Sequence, residues 1–109
     1  MRDKKDTPIY SARDDDCEAR EQISEFVIRL AERVDLLQDV EGGRQLAPLQ
    51  EHASVLAQDA ELLGFDLLAE IAVRVAEASQ RGESNAAQDA LVELTTVARR
   101  IRLGHRGAA

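Results

Sequence analysis

Apolar side chains recur along this chain at steps of three and four residues, which is the spacing of one face of an α-helix. The first stripe consists of Ile23, Phe26, Val27, Leu30, Val34 and Leu37. Three aspartates at positions 14–16 precede it and supply an N-cap and favourable charge for a first helical turn. The stripe ends at Val40, just before the helix-breaking pair Gly42 and Gly43. We therefore predict a long first helix of about 25 residues.

Three further stripes predict three more helices. The second helix is expected to begin near Leu46, with Pro48 tolerated in its first turn, and to end at Gly64. The third ends in the segment "QRGES", and the fourth runs from residue 86 to 103 behind a predicted capping box of Asn85 and Gln88. The inward positions are Leu49, Ala53, Leu56, Ala60 and Leu63, then Leu68, Ile71, Ala72, Val75 and Ala78, and finally Leu91, Leu94, Val97, Ala98 and Ile101.

Short loops between amphipathic helices make neighbouring helices antiparallel, so the sequence predicts an all-α, up-down-up-down four-helix bundle. We assign residues 14–103 to the bundle, residues 1–13 to a flexible or extended leader and residues 104–109 to a flexible tail. Ile9 and Tyr10 of the leader are expected to lie on the domain. The first helix also carries Ile23, Leu30 and Leu37 at seven-residue steps, which leaves a weak homodimer as an alternative to a monomer.

Composition and charge disfavour some classes of partner but do not indicate a function. The chain has 109 residues, a net charge of −7 and only 3% aromatic residues. The core must therefore be aliphatic, and the charge disfavours nucleic acid and anionic membranes as partners. The basic run "ARRIRLGHRG" is interpreted as a solvated helix end. Cys17 is the only cysteine, and no membrane span or signal-peptide core is evident, so we expect a cytoplasmic protein without a cofactor.

His52 is the residue in the second helix that raises the question of chemistry, as a phosphate carrier, a metal ligand or an ordinary residue beside the core. On a helical wheel it lies about 60° from Leu49, on the shoulder of the buried stripe. A phosphate-carrying ring must face a partner and needs a nearby cation, whereas the neighbour here is Glu51. His105 is the only other histidine, and no cysteine or carboxylate completes a metal site. We therefore predict that His52 covers the edge of the core.

The second helix resembles the signature of histidine-containing phosphotransfer (HPt) domains, which is roughly "L-x-x-L-A-H-x-L-K-G-x-x-x-x-x-G". The matching positions are Leu49, Ala53, Leu56, Gly64 and Phe65, the last two as a "G-F" pair found in one subfamily. The similarity extends from Pro8, in a lead-in "PIYS", to Arg102. It implies a four-helix bundle and a place in phosphorelay, that is, two-component signalling.

The residues that carry the chemistry of this family differ in the present chain. Ser54 stands at the phospho-acceptor position, Ala57 at the position of a lysine that helps to hold the phosphoryl group, and Gln58 at the neighbouring glycine. Glu61 replaces a small residue that leaves room for the partner. A serine hydroxyl without an adjacent base is not activated, and Glu61 adds like-charge repulsion. The resemblance therefore implies a degenerate member that lacks phosphotransfer activity.

We expect a binding module and not an enzyme, with a receiver domain or a sensor kinase as the partner that the resemblance implies. The expected partner-binding face is Gln50, Ser54, Ala57, Gln58 and Glu61. Two alternatives stay open, an active phosphotransfer protein that uses His52 and a purely structural or self-associating bundle. A conventional enzyme is disfavoured because the sequence contains no phosphate loop, no nucleophile with a base in reach and no metal cluster.

Overall fold

A computed structural model of the chain describes residues 7–105, and within this range the secondary structure is entirely helical. Helix α1 spans Cys17–Gly42, α2 spans Leu46–Leu62, α3 spans Asp66–Gln80 and α4 spans Ser84–Gly104. The four helices follow the four apolar stripes of the sequence. The protein is therefore an all-α, four-helix bundle, as the sequence predicted.

Contacts between the helices show how the bundle is closed. Arg33 of α1 pairs with Asp59 of α2 at 2.9 Å. Phe26, two turns earlier in α1, stacks on Phe65 just beyond the end of α2, with ring centroids 5.6 Å apart. The two helices therefore run in opposite directions, as their short connection requires. Helix α3 packs between α2 and α4, and α4 returns to α1.

The core is aliphatic and is filled from all four helices. Its largest fully buried side chains are Phe65, Leu30, Leu37, Leu49, Leu56, Leu68, Leu94, Ile101 and Val75. The seven-residue repeat of α1 is part of this core, because Ile23, Leu30 and Leu37 are all buried within the chain. This stripe is therefore occupied by the protein's own helices and offers no surface for a homodimer.

The ends of two helices test the predicted caps. Asp16 is the N-cap of α1, and its side chain accepts a hydrogen bond from the backbone N–H of Glu18 at 3.0 Å. The predicted capping box at Asn85 and Gln88 is wrong, because α4 begins at Ser84, two residues earlier than expected, and Glu83 is its N-cap. The reason is the tight turn at Gly82, whose φ of 72° directs the chain into α4 before Asn85 is reached.

Residues 7–15, which we call the N-terminal strap, cross the end of the bundle where α2 meets α3. The N–H of Ile9 donates to Arg100 O of α4, at 3.0 Å, and the N–H of Ala12 donates to Gly64 O, at 2.9 Å. Ser11 is buried, and its hydroxyl donates to the carbonyl oxygen of Leu63. Ile9 packs against the core. Residues 7–13 are thus bound to the bundle, while residues 1–6 of the predicted leader lie outside the described part of the chain.

The predicted tail began too early. Gly104 belongs to α4 and His105 is its C-cap, so only residues 106–109 remain, and these lie outside the described range. The close approach of the strap explains the difference. A Cβ atom on Gly104 would stand 2.7 Å from the carbonyl oxygen of Ile9, which only glycine avoids. The end of α4 is therefore part of the packed structure.

Gly64→Ala is predicted to destabilise the protein more than Gly82→Ala. Both glycines have positive φ, so alanine at either site costs about 1–2 kcal/mol in backbone strain. Only at Gly64 does the added methyl also meet the strap, 2.7 Å from Ser11 Oγ, which adds about 1–3 kcal/mol of overpacking. Urea unfolding followed by circular dichroism measures the difference. Equal losses for the two variants would show that the strap is not seated on Gly64.

Asp16→Asn is predicted to reduce the acid sensitivity of the fold. The hydrogen bond from the Arg13 side chain, followed by that from the Glu18 N–H, holds the pKa of Asp16 below its usual range. A lowered pKa in the folded state stabilises the protein above the usual aspartate value, and this stability is lost as the pH falls through the lowered pKa. Thermal unfolding between pH 5 and pH 2 should therefore show a steeper fall for the wild type than for Asp16→Asn. Parallel curves would contradict this assignment.

Candidate functional site

The outer face of α2 carries the residues that the sequence placed at the partner surface. Gln58 and Glu61 are exposed, and Gln50 and Ser54 are half-buried. Ala57 is the exception, because only 6% of it is exposed. Ala57 therefore adds almost no exposed area to the expected partner-binding face.

The burial of Ala57 follows from the way α2 packs against α3, the pair of helices with the most extensive contact in the bundle. Small side chains allow this close approach. The buried alanines of the two helices are Ala53, Ala57, Ala60, Ala69, Ala72, Ala76 and Ala78. Ala57 lies about 80° from Leu49 on the helical wheel, and α3 comes near enough to cover a side chain in that direction. The remaining candidate face consists of Gln50, Ser54, Gln58 and Glu61, and we call it the α2 face.

Ser54 occupies a surface without cations on its own helix. The residues one turn before it are Gln50 and Glu51, and those one turn after it are Ala57 and Gln58. None of them is positively charged, so α2 supplies no partner for a phosphoryl group on the hydroxyl. Glu61, two turns further on, is exposed and adds a negative charge near the same face. The surface around Ser54 is therefore suited to hydrogen bonding and not to holding the dianionic phosphoryl group.

His52 lies on a different side of α2 from Ser54. It is half-buried, and it shares its helical direction with Asp59, two turns later. Asp59 pairs with Arg33 of α1, so this side of α2 faces α1. The imidazole therefore stands at the edge between two packed helices, in agreement with its place on the helical wheel.

A surface groove between α1 and α2, which the sequence analysis did not find, has a volume of about 530 Å³. Phe26, Leu62 and Leu63 supply its apolar lining. The guanidinium of Arg33 lies 5.7 Å from the centre of the Phe26 ring and is held by Asp59. Charges of both signs surround the groove, and its lining contains no serine, cysteine or histidine. No sequence signal pointed to it, because it forms only when α1 and α2 are brought together.

Within residues 7–105, no group of three or more histidine, cysteine, aspartate or glutamate side chains is arranged to hold a metal ion. None of the four described helices combines the length and the hydropathy needed to cross a bilayer. The aspartates at positions 14–16 serve the start of α1, where Asp16 also pairs with Arg13 at 2.8 Å.

Comparisons with protein-family models, with curated proteins and with solved structures gave no match for this chain. The similarity of α2 to the HPt signature therefore depends on the residues of this helix alone.

Ala57→Lys is predicted to destabilise the bundle, although lysine stands at the corresponding position of the HPt signature. A long side chain at a buried site in the α2–α3 interface costs about 1–3 kcal/mol through overpacking, even if the ammonium reaches water. Gln58→Lys is the matched control, since residue 58 is exposed and the change should alter stability by less than about 0.5 kcal/mol. Chemical denaturation of both variants measures this. If Ala57→Lys is as stable as Gln58→Lys, then residue 57 lies on the open surface.

Proposed function

We propose that this protein is an HPt-like binding module that docks a receiver domain of two-component signalling through the α2 face without accepting its phosphoryl group. The observation that carries the proposal is the combination of a four-helix bundle with the HPt spacing on α2 and a serine, Ser54, at the acceptor position. The scaffold of a phosphorelay protein is retained while its reactive group is replaced.

The shape and chemistry of the α2 face support docking. Gln58 and Glu61 are exposed and Gln50 and Ser54 are half-buried, so a partner helix meets short polar side chains that can hydrogen-bond to it. Val55 and Leu62 of the same helix are also exposed, by 46% and 68%, and add apolar area beside the polar residues. Ala57 lies at the edge of this face and is buried, so no side chain protrudes beside Ser54 on that side.

The charge of Glu61 sets the strength of this interaction. In the HPt family the partner presents an acidic phosphorylation pocket to the acceptor helix, and an exposed carboxylate on α2 repels such a pocket. We therefore expect weak binding that strengthens when salt screens the repulsion. Replacement of Glu61 by glutamine should strengthen it further.

The absence of phosphotransfer follows from the groups beside Ser54 and His52. The adjacent turns of α2 supply no cation that could hold a phosphoryl group on Ser54, and the carboxylate of Glu51, one turn before it, would repel such a group. His52 faces α1 and has Glu51 as its chain neighbour. Incubation with a phosphorylated receiver should therefore leave the protein unlabelled. Acid-labile label that disappears in His52→Ala would instead establish the active alternative.

Ser54→Arg is predicted to block receiver binding. Titrations against the receiver domains of the same cell, followed by calorimetry, should give a dissociation constant for at least one of them that rises by about tenfold or more in Ser54→Arg, equivalent to about 1.4 kcal/mol. Val92→Arg is the matched control, because it adds the same side chain at an exposed position of α4 and should leave the constant unchanged. Glu61→Gln should lower it. Failure to bind any receiver, or equal weakening by both arginine variants, would remove the proposal.

A further inference from the structure

His105 closes the end of α4 in an enclosed position between the strap and the core. Its side chain is 9% exposed. Its ring stands edge-on to Phe65, with centroids 5.7 Å apart, and tilted to Tyr10, at 5.9 Å. The Nδ1 atom lies 3.0 Å from the carbonyl oxygen of Ile101. Since a carbonyl oxygen only accepts, Nδ1 carries the proton in the neutral ring.

The second ring nitrogen of His105 is buried and has no hydrogen-bond partner among residues 7–105. In the neutral ring this Nε2 atom is an acceptor, and no donor faces it. The nearest charged atom given by the structure is Oδ1 of Asp14 in the strap, at 4.0 Å. Two acceptors therefore face each other across a gap that is slightly too long for a hydrogen bond.

We propose that His105 and Asp14 form a pH-dependent latch that holds the strap on the end of the bundle. An imidazole takes up its second proton between about pH 5 and 8, depending on its surroundings. Protonation turns Nε2 into a donor, and a movement of about 1 Å brings the Asp14 carboxylate to the length of a charge-assisted hydrogen bond. The strap is then fixed by an ion pair in addition to its backbone hydrogen bonds.

The charges around His105 determine the direction of the effect. The strap contributes Asp14 and the phenol of Tyr10, and the C-terminal carbonyl groups of α4 also favour a cation at this position. A surface depression beside His105 is bordered by Arg99 and Arg102 of α4, whose charges oppose a cation on the ring. Helix α1 contributes only the uncharged Val27 and Ile28 to this depression. The α2–α3 turn contributes Phe65, which contacts the ring. Both arginines are exposed, so water screens their repulsion, and Asp14, although its side chain is 55% exposed, holds Oδ1 only 4.0 Å from Nε2.

Asp14 is well placed to pass this interaction to the strap. Its N–H donates to Ser11 O at 3.1 Å, and the Ser11 hydroxyl is bonded to Leu63 at the end of α2. Movement of the Asp14 carboxylate towards His105 therefore also acts on the turn between Ser11 and Asp14, which packs against Gly64. The latch connects the end of α4 to the α2–α3 turn and is independent of receiver binding.

Amide hydrogen exchange of the full chain tests the latch. The N–H groups of Ile9 and Ala12 report on strap opening, because they bond to Arg100 and Gly64 of the bundle. After correction for intrinsic exchange rates, their protection should rise about fivefold from pH 8 to pH 6, the size expected of one charge-assisted contact at a helix end. Amides in the middle of α3 serve as the internal reference.

Three variants separate the latch from other titrating groups. Asp14→Asn removes the carboxylate charge, and His105→Asn removes the titrating ring while retaining a donor near the Nδ1 position, so both should abolish the pH response of the strap. His52→Asn removes the other histidine and should leave the response intact. Circular dichroism establishes that each variant is folded. A response that is absent in the wild type, that runs in the opposite direction or that survives in Asp14→Asn would overturn the proposal.

Discussion

The close packing of α2 against α3 is the constraint on which the rest of the structure depends. Alanines on both helices allow the two backbones to approach, and this approach decides which side of α2 remains open. It buries Ala57, leaves Gln58 and Glu61 in solvent and turns His52 towards α1. A larger residue in this interface would change the helix spacing and with it the surface offered to a partner.

The helices could be predicted from the sequence because their signal is local and periodic. Apolar spacing located all four elements, and the aspartates before α1 predicted its cap, since a cap depends on residues that are adjacent in the chain. The prediction at Asn85 failed where a second local signal, the left-handed turn at Gly82, determined the start of α4. Neighbouring signals compete, and the backbone conformation of a glycine outweighs a side-chain hydrogen bond.

The candidate site was less predictable, because it depends on distances between helices. A helical wheel gives the direction of Ala57 but not how near α3 comes, and so it could not show that this side chain is covered. The hydrogen bond between Ser11 and Leu63 joins residues 52 positions apart, and no sequence pattern predicts it. The sequence predicted that Ile9 and Tyr10 lie on the domain, but neither the hydrogen bonds of the strap nor the enclosed position of His105 has a local signature, since both arise only when the end of the bundle is assembled.

The strap brings the two ends of the described chain into contact with each other. The N–H of Ile9 donates to Arg100 O of α4, and Tyr10 contacts the ring of His105, which in turn stands edge-on to the buried ring of Phe65. Proteolytic removal of the strap would therefore uncover His105, and removal of the end of α4 would uncover Phe65 beneath it. The strap and the end of α4 thus shield each other at the closed end of the bundle, although they lie more than 80 residues apart in the described chain.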